Sequence, residues 1–95
     1  MILSISYDLN KDGQNYTDLY DTIKTAPGYI RAMDSYWFIS SAESVKTWSD
    51  RLLAVIDKND NLFIVDITGQ SRQGGIGKDV WEWLKKHDPV TSHTY

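Results

Sequence analysis

Asp8 closes a strand-like run, Ile2 to Leu9, and turn residues follow at once in Asn10, Lys11, Asp12 and Gly13. A carboxylate at the carboxyl end of a strand is placed to hold a divalent cation such as Mg²⁺ or Mn²⁺. A nearby two-fold axis would bring in a second Asp8 to share it. Ser6, Asn10 and Ser40 are the side chains expected to orient that carboxylate or its water. The competing reading is structural, with Asp8 accepting backbone N–H bonds from Asn10 or Lys11 as the chain turns. Asp8, Asn10, Asp12 and Gly13 also fit the first half of the calcium-loop pattern D-x-[DN]-x-[DN]-G. Leu19 stands where its bidentate Glu belongs, and a strand precedes the loop, so calcium is not expected here. Asp57, Asn59 and Asn61 lack both the Gly and the Glu and match less well.

Two further stretches carry chemistry-bearing residues. Gly69 to Lys78 is glycine-rich, follows a strand and precedes a helix, and Arg72 and Lys78 give it charge. Gly75 stands where a phosphate-binding P-loop needs Lys, and no G-x-G-x-x-G fits, so a flexible connection is the better reading. Trp81 and Trp83 are two apart, which on a helix points them to nearly opposite sides. One is therefore expected to face a partner or lie half exposed. His87 and His93 lie beyond the last core segment with no third ligand at matching spacing, which argues against a metal site or a Ser-His-Asp triad.

The elements that must position these residues follow from periodicity. Leu3, Ile5, Tyr7 and Leu9 alternate with Ser4, Ser6 and Asp8, the pattern of a strand with one buried face. Asn15 is expected to cap a helix whose Tyr16, Leu19, Tyr20 and Ile23 form an apolar stripe, ended by Ala26-Pro27-Gly28. Tyr29–Met33 and Tyr36–Ser40 read as two strands broken at Asp34-Ser35, or as one bent strand with a bulge; two strands are favoured. Ser40 to Glu43 has capping-box spacing, and Val45, Trp48, Leu52, Val55 and Ile56 line a second helix behind it. Leu62–Ile67 is a fourth strand, Asp79–His87 a short helix, and residues 88–95 a flexible tail.

This order predicts one α+β domain over residues 1–87: a ferredoxin-like split βαβ (βαββαβ) antiparallel sheet with both helices on one face, plus the C-terminal helix. The first and third strands are expected side by side, parallel and central, which would place Asp8 near Ser40-Ser41 and the turn before the fourth strand. The other sheet face, with Ser4, Ser6 and one of Trp37 and Phe38, would be free of helices and open to a partner.

Composition narrows the functional classes. At 95 residues without cysteine, the chain has no thiol catalysis, thiolate metal site or disulfide, which fits a reducing cytoplasm. Neither an export signal nor a membrane span is expected. A net charge of −3 gives no general attraction to phosphate, so RNA or DNA would have to meet a local basic patch.

The segments YDLNKDGQNYTDLYDTIK, SYWFISS, DRLLAVIDKNDNLFIVDITG and VWEWLKKH resemble the small bacterial and phage proteins labelled "SinR family". The layout is more distantly similar to the VapD endoribonucleases and to the ferredoxin-like second CRISPR-associated protein family. The resemblance covers about Leu3 to His87. It implies a ferredoxin-like fold, a homodimer formed through the uncovered sheet face, and a catalytic, metal-binding role for Asp8, which matches the Y-D position of those families. Arg31 and Ser35 lie in the hairpin segment that those families also use.

Two functions are therefore expected to compete. In the first, paired Asp8 carboxylates hold Mg²⁺ or Mn²⁺ in a homodimeric endonuclease acting on RNA or DNA, with Arg31, Arg72 and Lys78 meeting phosphate. In the second, the same fold is a non-catalytic dimeric interaction module of a plasmid, phage or toxin–antitoxin system. Its contacts with a second copy or a protein partner would come from Ser4, Trp37, Phe38, Trp81, Trp83 and the tail.

Overall fold

A computed structural model describes residues 1–10, 16–88 and 93–94. Its elements run β1 (Ile2–Asp8), α1 (Thr17–Ile23), β2 (Gly28–Met33), β3 (Tyr36–Ser40), α2 (Val45–Leu53), β4 (Asn61–Asp66), β5 (Gln73–Gly74), α3 (Lys78–His87) and β6 (His93–Thr94). The first four long strands form one sheet in the order β2-β3-β1-β4, with every neighbouring pair antiparallel. The chain is thus an α+β protein, with a four-stranded antiparallel sheet and three helices among the described residues. The two-residue strands β5 and β6 pair parallel beside it.

Period-two alternation in β1 sorts its side chains onto two differently covered faces. On the first, Leu3, Ile5 and Tyr7 meet Trp37 and Ile39 of β3, Leu19 and Ile23 of α1, and Trp48 and Leu52 of α2. Leu3, Ile5, Leu19, Ile23, Ile39 and Leu52 are fully buried, and Trp48 nearly so. On the second face, Ile2 and Phe38 are buried beneath Val80, Trp81 and Leu84 of α3. The i, i+1, i+4 spacing of these three gives α3 its apolar stripe. The last turn of α3 runs close over β2, where a Cβ on Gly28 would stand 3.0 Å from His87 Nε2. That proximity favours a residue without a side chain.

Three expectations are corrected here. β1 and β3 are central neighbours but antiparallel, because a tight Asp34-Ser35 hairpin reverses β2 into β3 while α1 returns the chain for β2 to run parallel to β1. The second sheet face is not free of helices, since the apolar residues Ile2 and Phe38 on it need cover and α3 supplies it. The α2 cap is Ser44, whose Oγ accepts from the Thr47 N–H at 3.1 Å, not Ser40. Glu43 instead accepts from Arg51 at 2.6 Å, and Val45 is exposed.

The strand break at Asp34-Ser35 is as expected, and a register irregularity between Arg31 and Met33 adds the bulge as well. The expected Asn15 cap and the Asp12-Gly13 turn lie outside the described residues, as does most of the expected tail. Of that tail, Asp88 is buried and His93–Thr94 pair with β5. Among the described residues, no helix is long and apolar enough to cross a membrane.

Candidate functional site

Asp8 is the last residue of β1, lies opposite Asn61 on β4, and is exposed. It lines an open cleft of about 270 Å³ together with Ser6, Tyr7, Asn61, Leu62 and Phe63. Among the described residues its carboxylate makes no hydrogen bond or ion pair. The Asn10 N–H, which a strand-end aspartate would be expected to attract, donates instead to Asp60 Oδ1 at 2.8 Å. Asp60 is buried and also accepts from Tyr16 Oη at 3.0 Å and the Asp57 N–H at 2.8 Å. The turn at Asn10 is therefore organised by Asp60, fifty residues on, and Asp8 is left without that structural task.

The residues expected around Asp8 separate. Ser6 stays beside it on the same face of β1, half-buried, its Oγ donating to the Phe63 carbonyl at 3.3 Å. Asn10 is held through Nδ2 to the Asn59 carbonyl at 3.0 Å. Ser40 pairs with Ile2 at the opposite end of β1, six residues or roughly 20 Å along the strand. The antiparallel register thus removes Ser40 as a partner and brings the β2–β3 hairpin in its place, with the Tyr7 N–H donating to the Ser35 carbonyl at 3.2 Å.

The expected phosphate contacts do not gather at Asp8. Arg31 donates Nε to the Asp34 carbonyl at 3.1 Å and Nη2 to the same oxygen, closing its own hairpin. Its guanidinium also lies 5.0 Å from the Tyr20 ring centre and 5.5 Å from that of Trp37. Arg72 is nine-tenths buried and paired with Asp88 at 2.7 Å. Lys78 is exposed at the start of α3, with Glu82 3.9 Å away. The loop around Arg72 is therefore anchored through its arginine.

Most of the expected partner contacts are interior. Ser4, Trp37, Phe38 and Trp81 are all buried within the chain, so they are corrected from interface to core. Trp83 is half-buried, its ring stacked 4.1 Å from that of His87. Exposed apolar side chains lie on β2 (Tyr29, Met33), at the end of α2 (Leu53) and on β4, where Phe63 is 68% exposed and Val65 37%. Their β1 neighbours are Ser6 and Ser4, too small to wall them in, and the cluster beneath α3 includes neither Phe63 nor Val65. The unbroken apolar run Leu62-Phe63-Ile64-Val65 carried that signal, since it puts apolar residues on both faces of β4.

Behind Asp8, Trp37 Nε1 donates to Tyr7 Oη at 3.0 Å, and Tyr7 Oη donates to the Asp34 carbonyl at 3.4 Å. Burial raises the Tyr7 pKa above its ordinary value; the Trp37 hydrogen bond and the Arg31 charge oppose that only in part. The phenol therefore stays protonated at neutral pH and serves as a link in the scaffold. Sequence periodicity placed Tyr7 in the core but gave no sign of this network.

The donor atoms around Asp8 are oxygens, the type that Mg²⁺ and Mn²⁺ prefer. Among the described residues one chain offers a single carboxylate in that cleft, and no group of three or more acidic, histidine or cysteine side chains able to hold a metal occurs. The donor chemistry fits half of a site that a second copy would have to complete. No family model, no curated protein and no solved structure matches this chain.

Proposed function

We propose that the chain is a ferredoxin-like protein that acts as a homodimer, with Asp8 of each copy as its working carboxylate in nuclease-like hydrolysis of an RNA or DNA phosphodiester. The observation that carries this reading is that Asp8, exposed at the end of a central strand and lining an open cleft, has no structural partner among the described residues. The strand order β2-β3-β1-β4 with antiparallel neighbours supports the ferredoxin-like assignment. The half of the second sheet face left open by α3, with Ser6, Phe63 and Val65, is the surface a second copy would cover. Two Asp8 carboxylates would then be the protein ligands for Mg²⁺ or Mn²⁺. When bound, such a cation lowers the pKa of water and stabilises charge on a phosphoryl oxygen.

The test is thermal denaturation with and without Mn²⁺ alongside cleavage of labelled RNA and DNA, comparing the natural chain with Asp8→Asn. A rise in Tm with Mn²⁺ that Asp8→Asn abolishes, together with loss of cleavage, is expected. Cleavage unchanged by Asp8→Asn would end the nuclease reading.

A second reading, the non-catalytic dimeric module, is favoured by a different observation. Arg31 and Arg72 bond within the chain, while Phe63 is the most exposed large apolar side chain among the described residues. Burying a phenylalanine contributes about 1.5–3 kcal/mol, so Phe63→Ser should weaken a dimer at least ten-fold by light scattering. In this reading Phe63→Ser abolishes association while Asp8→Asn and Mn²⁺ change nothing.

A further inference from the structure

Asn61 opens β4 directly opposite Asp8, and both side chains are exposed and line the same cleft of about 270 Å³. Residues opposite each other in an antiparallel pair point to one face, with Cβ atoms about 4.5–5.5 Å apart. An asparagine at the edge of a turn ordinarily serves that turn. Here other groups hold it. Asp57 Oδ1 accepts from the Asn59 N–H at 3.0 Å, and the Asp60 carboxylate accepts from the Asp57 and Asn10 N–H groups, both at 2.8 Å. The Asn59 carbonyl accepts from Asn10 Nδ2 at 3.0 Å. Among the described residues the Asn61 carboxamide, like the Asp8 carboxylate, makes no hydrogen bond.

Charge and donor type set what these two side chains can hold. Among the described residues the lining of the cleft carries one carboxylate and no Lys, Arg or His, so a phosphodiester arriving alone would meet negative charge with nothing to offset it. A cation meets the reverse. Carboxylate and carboxamide oxygens are both ligands for hard divalent cations, and Asp8 and Asn61 present one of each, whereas the neighbouring Leu62 and Phe63 have no side-chain donor atom. Ligand oxygens about 2.1 Å from an octahedral cation lie about 3 Å from each other, a separation that two side chains facing each other across one strand pair can reach. We propose that Asn61 Oδ1 is a second protein ligand, beside Asp8 of the same copy, for the Mg²⁺ or Mn²⁺ of this cleft. The inference rests on the reading of Asp8 given above. It gives a dimer two oxygens from each copy and leaves the remaining octahedral positions to water and a phosphoryl oxygen.

The test measures binding of Mn²⁺ alone to the full chain, from the electron paramagnetic resonance signal of the free ion, with urea midpoints taken in its absence. Asn61→Ala changes no charge and removes an exposed side chain that nothing holds. Its urea midpoint should therefore match that of the natural chain, while the Mn²⁺ dissociation constant should rise about ten-fold. Asp8→Asn should abolish binding. The double variant Asp8→Asn/Asn61→Asp exchanges the two donors across the strand pair at unchanged net charge, and should recover binding to within about ten-fold of the natural chain. Binding in Asn61→Ala as tight as in the natural chain would overturn the inference while Asp8, if Asp8→Asn still abolishes binding, keeps its place as a ligand. A double variant that binds no better than Asp8→Asn would overturn it as well. No binding of Mn²⁺ by the natural chain at millimolar concentration would overturn both this inference and the cation-binding role of Asp8 on which it rests.

Discussion

Asp88→Ala is expected to be among the most damaging single substitutions outside the aromatic core. Asp88 Oδ2 accepts from Arg72 Nη2 at 2.7 Å and from the Gly69 N–H at 3.0 Å, and the two side chains are 10% and 6% exposed. Arg72 also reaches the Ile67 and Gln70 carbonyls, so one guanidinium ties the end of β4 to the residue that caps α3. Removing one partner of a buried pair leaves the other charge uncompensated and costs about 3–5 kcal/mol. Arg72 keeps two carbonyl acceptors, which argues for the lower end, about 3 kcal/mol. A domain this small has a total stability of about 5–14 kcal/mol. At about 4–8 °C per kcal/mol, Tm should fall by roughly 12–24 °C.

Urea unfolding followed by tryptophan fluorescence and circular dichroism measures the loss. The double variant Arg72→Met/Asp88→Leu should recover most of it, because no buried charge is left unpaired. The pH dependence has a definite sign. Burial pushes the Asp88 pKa up, but the Gly69 N–H, the Arg72 hydrogen bond and the Arg72 charge together outweigh it and hold the pKa below the ordinary value. A depressed folded-state pKa gives stability that is present above the unfolded value, about 3.9 for aspartate, and is lost as pH falls through the folded one. The difference between the natural chain and Asp88→Ala should therefore be constant from pH 7 to about 5 and shrink below about pH 4. A loss under about 1 kcal/mol at pH 7, the size typical of exposed pairs, would refute the reasoning. So would a difference that stays constant down to pH 2.5.

Two smaller effects follow from hydrogen bonds that periodicity does not reveal. Ser41→Ala strands the buried Trp48 Nε1–H and the Glu43 N–H, which donate to Ser41 Oγ at 2.9 and 3.0 Å; the urea midpoint should fall by the equivalent of about 1–3 kcal/mol. Asp60→Asn turns one acceptor of a carboxylate shared by Asn10, Tyr16 and Asp57 into a donor. It should cost about 2 kcal/mol by the same measurement.

What could be read from the sequence was set by period and turn chemistry. Leu3, Ile5 and Tyr7 declare a buried strand face, Leu19 and Ile23 a helical one, and Asp34-Ser35 a reversal, and all of these stand. Direction was not legible in this way, because a strand pattern reads the same for either pairing sense; the loop lengths and the hairpin decide it. The error carried Ser40 away from Asp8. The Ser40 and Ser44 hydroxyls both stand before an apolar run, and only the backbone bond to Thr47 tells which one caps α2. Arg72 and Asp88 are joined across sixteen residues of chain with no periodic signal. The cover of the second sheet face was detectable in principle: Ile2 and Phe38 sit at positions that alternation assigns to the outside, and α3 offers Val80, Trp81 and Leu84 on one side.

The placement of α3 governs both halves of the functional argument. By covering Ile2 and Phe38 it takes Phe38 and Trp81 out of contention as contact residues and leaves Phe63 and Val65 exposed on the β1–β4 half of that face. That half ends at Asp8, so a second copy bound there would lie next to a strand-end carboxylate that has no partner among the described residues. On the other side of α3 lies a cavity lined by Tyr36, Phe38, Ile76, Trp81 and Leu84, none of which lines the cleft at Asp8.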